Sequence, residues 1–285
     1  MIDLVLGPLA HAFFVRALLA SALVGLVCAV VGTYVVLKGL AFIGDAISHA
    51  AFPGIVAAFL LKGPFYLGAG IAAVATALAI GWVSRRARIR IDTAIGVLFA
   101  GTFAFGVFLF SAMRGWSPDL LSFLFGNVLA ISAEDLLGLV ALGGLVLAVV
   151  AIFWKELLYA TFDPLGAGAA GLPVARLEYL VLALVALTIV VSLQAVGIIL
   201  VVAMLVTPAA TAQLLTVRFA ALMRLAIVIG VGSGVVGLYL SDWLRVASGA
   251  TIVLVETALF LVALLLGPRT GLLGLRRARS SRRQG

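Results

Sequence analysis

Long apolar runs alternate along the chain with short breaks that contain glycine, proline or charged residues. Because an α-helix rises 1.5 Å per residue, about 20 apolar residues span the hydrocarbon core of a bilayer. The pattern predicts nine transmembrane helices, or eight if one segment is re-entrant. The nine lie near residues 13–37, 42–61, 64–83, 91–112, 136–154, 177–194, 197–216, 220–240 and 247–267. We therefore expect an all-α polytopic membrane protein with a single transmembrane domain over 1–285.

One uncharged stretch is too long to be a single span. It runs from Tyr179 to Val217, and as one helix it would be roughly 58 Å long, nearly twice the thickness of a bilayer core. The chain must therefore turn within it. The sequence favours a turn at 194–197, and Pro208 offers a second candidate break because proline lacks the helical N–H donor.

Composition agrees with a membrane protein, since 65% of the residues are hydrophobic and only 11% are charged. Soluble domains are about 25% charged. The net charge of +8 comes largely from arginines that flank the predicted spans, which is the positive-inside pattern and favours contact with anionic lipid over nucleic-acid binding. The two arginine clusters are Arg85, Arg86, Arg88 and Arg90, and Arg276, Arg277, Arg279, Arg282 and Arg283.

This charge pattern predicts one orientation for the whole chain. The N-terminus is placed outside, whereas residues 155–176, Arg218 and the basic tail 268–285 are placed in the cytoplasm. Residues 113–135 are then external, and we expect a short interfacial helix within 120–130. Cys28 is the only cysteine, so a disulfide framework or a cysteine-based metal site cannot form within one chain.

An acid and an imidazole interrupt the second predicted span. Asp45 and His49 are four residues apart, so a helix places them on one face, one turn apart. Ionisable residues at membrane depth mark transport pathways, and carboxylate plus imidazole are ligands for a divalent transition metal. Pro53 leaves the His49 carbonyl without its helical donor, which makes that oxygen a candidate third ligand. The alternative is that Asp45 and His49 pair with each other, or with Ser48, between helices.

The other polar residues at membrane depth are few. Glu256, in the middle of the last span, is either a pathway residue or a buried packing partner. We expect Asp92 to cap the fourth span and Gln194 to cap a helix or hydrogen-bond between helices. The run Gly232-Ser-Gly234-Val-Val-Gly237 lies within a span and predicts a close helix-packing surface, as do Gly44 and Gly54.

The largest predicted cytoplasmic segment contains a short helix. Asp163 is placed to cap a helix that begins at Pro164, and Gly171 with Pro173 would end it. Such a helix on the membrane surface is a candidate docking element; the alternative is an ordinary loop.

Several chemistries are excluded by the residues present. None of the three lysines, Lys38, Lys62 and Lys155, is followed by serine or threonine, so the chain has no Walker A loop and does not hydrolyse ATP. The two histidines, His11 and His49, are 38 positions apart and form no HExxH motif, so no catalytic set for an intramembrane protease is present. We therefore expect a protein that is not an enzyme.

Three stretches together resemble the permease subunits of ABC importers for divalent transition metals, the zinc/manganese type. They are GDAISHAAFPG at 44–54, FDP at 162–164 with GLPV at 171–174, and VGIILVVAMLVTPAATA at 196–212. The resemblance runs from about residue 13 to 267. It implies a fold similar to the cobalamin-type importers, in a bacterial inner membrane, as a homodimer with the path along the dimer interface.

The resemblance also implies partners and residue roles. The partners are a cytoplasmic ATPase dimer and an extracytoplasmic metal-binding protein that delivers zinc or manganese; no cofactor is held permanently. Asp45 and His49 match the polar pair of the metal path. Phe162, Asp163, Pro164, Gly171 and Pro173 match the segment that couples the permease to its ATPase. The alternative function is a secondary, proton-coupled metal transporter that works alone, with Asp45 and His49 as a proton relay.

Overall fold

Nine helices long and apolar enough to cross a membrane occur in the residues that the computed structural model describes, 7–112 and 131–267. They confirm the predicted count of nine, and no strand occurs in these ranges. The nine are α1 (Ala12–Leu37), α2 (Ile43–Leu60), α3 (Phe65–Ala87), α4 (Ile91–Ser111), α5 (Ala133–Ile152), α8 (Val174–Val196), α9 (Ile198–Leu215), α10 (Phe219–Leu244) and α11 (Ser248–Leu266). Two short helices, α6 (Trp154–Phe162) and α7 (Pro164–Ala169), connect α5 to α8. The predicted interfacial helix within 120–130 and the basic tail lie outside the described residues.

Helix α1 lies at the centre of the bundle, packed against α5, α8, α9 and α10. Glycines let the backbones approach closely: a Cβ on Gly25 would lie 2.6 Å from the carbonyl oxygen of Gly230, and one on Gly32 would overlap the carbonyl oxygen of Leu205. Lipid tails are as apolar as the helices, so burial of apolar area contributes little to association within a membrane. Close packing through small residues therefore holds this core together.

The predicted turn between the sixth and seventh spans is confirmed at Gly197. This residue has φ +80° and separates α8 from α9. A positive φ of this kind suits glycine, which has no Cβ to clash with the backbone. A second break at Pro208 does not occur, because α9 continues through it to Leu215. Proline removes one backbone hydrogen bond, which a transmembrane helix tolerates when neighbouring helices pack around it.

Helix α4 is peripheral and packs mainly on α2 and α3. Asp92 lies in its first turn, where the carboxylate complements the positive end of the helix dipole. The predicted position of Asp92 at the start of the helix is confirmed, but its carboxylate forms no cap hydrogen bond and instead accepts one of 3.4 Å from the Arg90 side chain. Much of the remaining surface of α4 is apolar and exposed, including Val97, Phe105 and Phe108. Helix α4 thus lies at the outside of the single chain.

Candidate metal site and coupling segment

Asp45 and His49 lie on one face of α2, as their spacing predicts, and they also contact each other, which is the pairing given above as the alternative to a metal path. The His49 Nδ1 atom is 3.0 Å from the backbone carbonyl oxygen of Asp45 and 3.5 Å from its Oδ1 atom. A carbonyl oxygen only accepts hydrogen bonds, so the proton of a neutral imidazole belongs on Nδ1 in this arrangement. The Nε2 atom then keeps its lone pair and is available to a metal ion.

The pair faces away from the core of the single chain. The side chain of Asp45 is 50% exposed and that of His49 is 23% exposed. Ser48 is fully buried on another face of α2 and donates its hydroxyl to the Gly44 carbonyl, 2.8 Å away. The described contacts therefore do not make Ser48 a partner of the pair.

Asp45 lies near the start of α2, as the predicted span at 42–61 implies. It is the third residue of α2, which begins at Ile43. A carboxylate in the first turn interacts favourably with the helix dipole, and the cost of a charge falls away from the bilayer centre. Asp45 therefore occupies an accessible position near one end of the span.

Two phenylalanines of α4 complete the surroundings of His49. The rings of Phe99 and Phe103 meet the imidazole at 75° and 81°, each with centroids 5.5 Å apart. These edge contacts restrict the ring and cover it with apolar surface. Sequence reasoning missed both residues, although their spacing of four places them on one helix face.

Close approaches hold α2 against its neighbours at this site. A Cβ on Gly106 of α4 would lie 2.7 Å from the Phe52 ring and 3.0 Å from Pro53 Cδ. A Cβ on Gly54 would overlap the carbonyl oxygen of Gly68 in α3, and one on Gly44 would lie 3.2 Å from Leu205 Cδ2. The close packing predicted at Gly44 and Gly54 is confirmed.

The described residues include too few clustered side chains to enclose a metal ion within one chain. Among the described residues there is no group of three or more histidines, cysteines or acids that could hold one. Transition metals take four or more ligands. A metal ion bound at Asp45 and His49 would therefore need further ligands beyond these two side chains.

Glu256 lies apart from this pair. It is fully buried on α11, where its Oε1 accepts a hydrogen bond of 3.0 Å from the Ser233 hydroxyl of α10. Helix α11 packs mainly on α9 and α10, whereas α2 packs on α3, α4, α8 and α9. The structure therefore joins Glu256 to Ser233 inside the bundle and does not bring it to Asp45 and His49.

The short helix predicted after Asp163 is confirmed as α7. The Asp163 Oδ1 atom accepts a 2.8 Å hydrogen bond from the Gly166 N–H, and Pro164 is the first helical residue. Gly171 ends the segment with φ +84°, and Pro173 precedes α8. Two apolar side chains, Phe162 and Leu165, are exposed here, with Leu165 88% exposed. Such exposure at a capped helix is typical of a protein interface.

Comparison with known proteins supports the family resemblance over most of the chain. The family model described as ABC 3 transport family matches residues 10–267. The manganese transport system membrane protein MntC of Halalkalibacterium halodurans is 48% identical over 265 residues, covering 93% of this chain and 91% of that protein. The manganese import system permease protein ScaB of Streptococcus gordonii is 39% identical over 257 residues, covering 90% of this chain and 92% of that protein.

Solved structures confirm the fold class. PsaBC from Streptococcus pneumoniae, solved in complex with Fab, superposes with a TM-score of 0.84 at 36% identity, covering 97% of this chain and 100% of that chain. An inward-facing metal-chelate type ABC transporter superposes with a TM-score of 0.69 at 17% identity, which supports the fold alone. The chain therefore belongs to the ABC 3 transport family, as a multi-pass membrane permease of an ABC-type metal importer and not an enzyme.

Proposed function

We propose that this permease imports manganese, with Asp45 and His49 as a transient stop for the ion. The observation that carries the proposal is the His49 Nδ1 contact with Asp45, which leaves an imidazole Nε2 and a carboxylate on one accessible helix face. Manganese accepts carboxylate and imidazole ligands. Zinc accepts the same donors, so the choice of manganese rests on the relatives named as manganese transporters.

We propose that a second copy of the chain completes the stop. Two copies related by a two-fold axis would contribute two carboxylates and two imidazoles, enough for a four-ligand site. Asp45 and His49 lie exposed on the face of α2 beside α4, and this position supports the arrangement. The ligands of a transport site should also be few, since the ion must leave as readily as it enters.

We further propose that a separate ATPase dimer drives the cycle and that an extracytoplasmic binding protein delivers the metal. Helix α7 with Phe162, Asp163, Pro164, Gly171 and Pro173 is the element that would contact the ATPase, because its apolar side chains are uncovered. The arginines near 85–90 and the segment 155–176 would face the cytoplasm, with the N-terminus outside and the C-terminus inside. The membrane is then the bacterial inner membrane.

Uptake of radioactive manganese into proteoliposomes tests this function. We expect the ion to accumulate only when the ATPase, ATP and the binding protein are all present, and excess zinc to inhibit less than excess unlabelled manganese. The stand-alone secondary transporter gives the opposite result: the permease alone would accumulate manganese under a pH gradient without ATP. Equal inhibition by both metals would contradict the choice of manganese while leaving the importer intact.

Leu165→Asp is expected to weaken binding of the ATPase. Leu165 is 88% exposed, so the substitution leaves the packing of the chain unchanged and places a charge in the proposed interface. Loss of one buried leucine contact and desolvation of a carboxylate should reduce association at least about tenfold. Co-purification of the ATPase with tagged permease measures the effect.

The matched control is Leu61→Asp, since Leu61 is 82% exposed in the turn between α2 and α3. We expect it to retain the ATPase like the unchanged protein. Equal retention by both variants would show that α7 does not carry the contact.

A further inference from the structure

A cavity lies beside the start of α7, near the ends of several spans. Its volume is about 380 Å³, within the range of sites for small molecules. Thr161 of α6 and Pro164 of α7 line it on one side, and Lys38, which directly follows α1, lines it together with Arg85 of α3 and Glu178 of α8. The cavity thus joins the segment proposed to meet the ATPase to three spans of the core.

The charges in the cavity are unevenly paired. Arg85 donates from one terminal nitrogen to the Glu178 carboxylate, and its guanidinium lies 5.7 Å from the centre of the Tyr179 ring. Within the described ranges no carboxylate lies within 4 Å of the Lys38 ammonium. The lining therefore carries two cations and one anion, a net charge of +1.

Lys38 is the cation of the lining that has no carboxylate within 4 Å among the described residues. Burial lowers the pKa of its ammonium; Glu178 acts to raise that pKa, and Arg85 acts to lower it. An ammonium that has lost part of its water gains from a bound anion, which restores the favourable surroundings of the charged form. Arg85 has five N–H donors, and the Glu178 pair leaves some of them for a second acceptor.

We propose that this cavity binds the phosphodiester head group of an anionic phospholipid, with Lys38 and Arg85 as its ligands. A phosphodiester carries a single negative charge and so matches the net charge of the lining, whereas free phosphate carries about 1.5 negative charges near pH 7 and meets more repulsion from Glu178. Leu40, Ile91 and Val181 give the same cavity apolar surface for the glycerol and upper acyl chains.

The position fits a lipid of the inner leaflet. Leu40 lies between α1 and α2, Arg85 is in the last turn of α3, and Ile91 begins α4. Basic pockets between helices at this depth bind anionic head groups. The assignment to the inner leaflet rests on the orientation given under Proposed function, but lipid binding itself is measured without transport, so the two can fail separately.

Lipid retention by the purified full-length protein tests the proposal. The protein is extracted from mixed bilayers of phosphatidylglycerol and phosphatidylcholine, and the lipids that remain are counted by native mass spectrometry. We expect selective retention of phosphatidylglycerol by the unchanged protein and about fivefold less with Lys38→Gln, because one cation near the membrane surface is lost. Lys62→Gln is the matched control, since Lys62 is exposed at the turn between α2 and α3, and it should retain as much as the unchanged protein.

Two further measurements test lipid binding independently of the Lys38 variant. Glu178→Gln removes the only acid of the lining, so it should increase phosphatidylglycerol retention even if Lys38→Gln fails to fold. Millimolar inorganic phosphate should leave the unfolding temperature of the delipidated protein unchanged. Equal retention by the Lys38 and Lys62 variants would overturn the proposal, as would stabilisation by inorganic phosphate without retention of phosphatidylglycerol, which would show that the cavity takes the free ion.

Discussion

His49→Ala and Asp45→Ala are each expected to reduce manganese uptake at least about 100-fold. In the proposed two-fold site, either substitution removes two of the four side-chain ligands at once. His49→Ala also removes the imidazole that Phe99 and Phe103 surround, and Asp45→Ala removes the carboxylate 3.5 Å from Nδ1. The initial rate of ATP-driven uptake into proteoliposomes, per permease present, measures both effects.

Ser48→Ala is the control for these two variants, because Ser48 precedes His49 on the same helix but donates to the Gly44 carbonyl inside the bundle. Replacing a hydroxyl bonded to its own helix should change stability by less than about 1 kcal/mol and leave uptake near the unchanged rate. If Asp45→Ala and His49→Ala, correctly inserted and bound to the ATPase, transported manganese at the unchanged rate, the pair would not belong to the path.

The sequence predicts those parts of the fold that local chemistry determines. The span count follows from the runs of apolar residues. The start of α7 follows from the Asp163 side chain, which caps the helix, and from Pro164 as the next residue. The turn at 194–197 was predictable because the uncharged stretch is too long for one span, and the φ of +80° at Gly197 then suits glycine. Pro208 was a wrong candidate for a break, since one lost hydrogen bond does not end a helix that neighbours support on several sides.

The site could be predicted only in part, because its remaining features depend on packing between helices. The spacing of Asp45 and His49 alone predicts that they share a face of one helix, one turn apart. Phe99 and Phe103 reach His49 only because Gly106 lets α4 approach Phe52 and Pro53. Spacing along the chain contains no information about that approach, so neither phenylalanine was a candidate.

The surroundings of Glu256 also depend on packing between helices and could not be predicted from the sequence. Its position in the middle of a span left a pathway role and a packing role equally open. The antiparallel arrangement of α10 and α11 places Ser233 opposite Glu256 and Gly237 opposite Ile252, one turn along. The contact between α10 and α11 thus supplies a hydrogen-bond donor for the Oε1 atom of Glu256.

This contact leads to the second large effect, from Gly237→Val. A Cβ at Gly237 would lie 2.6 Å from the Cα of Ile252 and 3.0 Å from its backbone nitrogen. Backbone atoms cannot move aside as a side chain can, so α10 and α11 must separate, which also stretches the 3.0 Å hydrogen bond between Ser233 and Glu256. We expect a loss of about 3 kcal/mol or more and a thermal unfolding midpoint in detergent lowered by roughly 5–10 °C.

Gly232→Val in the same helix is the matched control for Gly237→Val. Nothing lies within 4 Å of a Cβ built on Gly232, so of the three glycines in the run only Gly234 and Gly237 form the predicted packing surface. Both substitutions carry the same change in helix propensity, which cancels in the comparison. A midpoint for Gly232→Val within about 3 °C of the unchanged protein is therefore expected. Equal midpoints for the two variants would contradict the close approach of α10 to α11 at Gly237, because only that approach distinguishes the two positions.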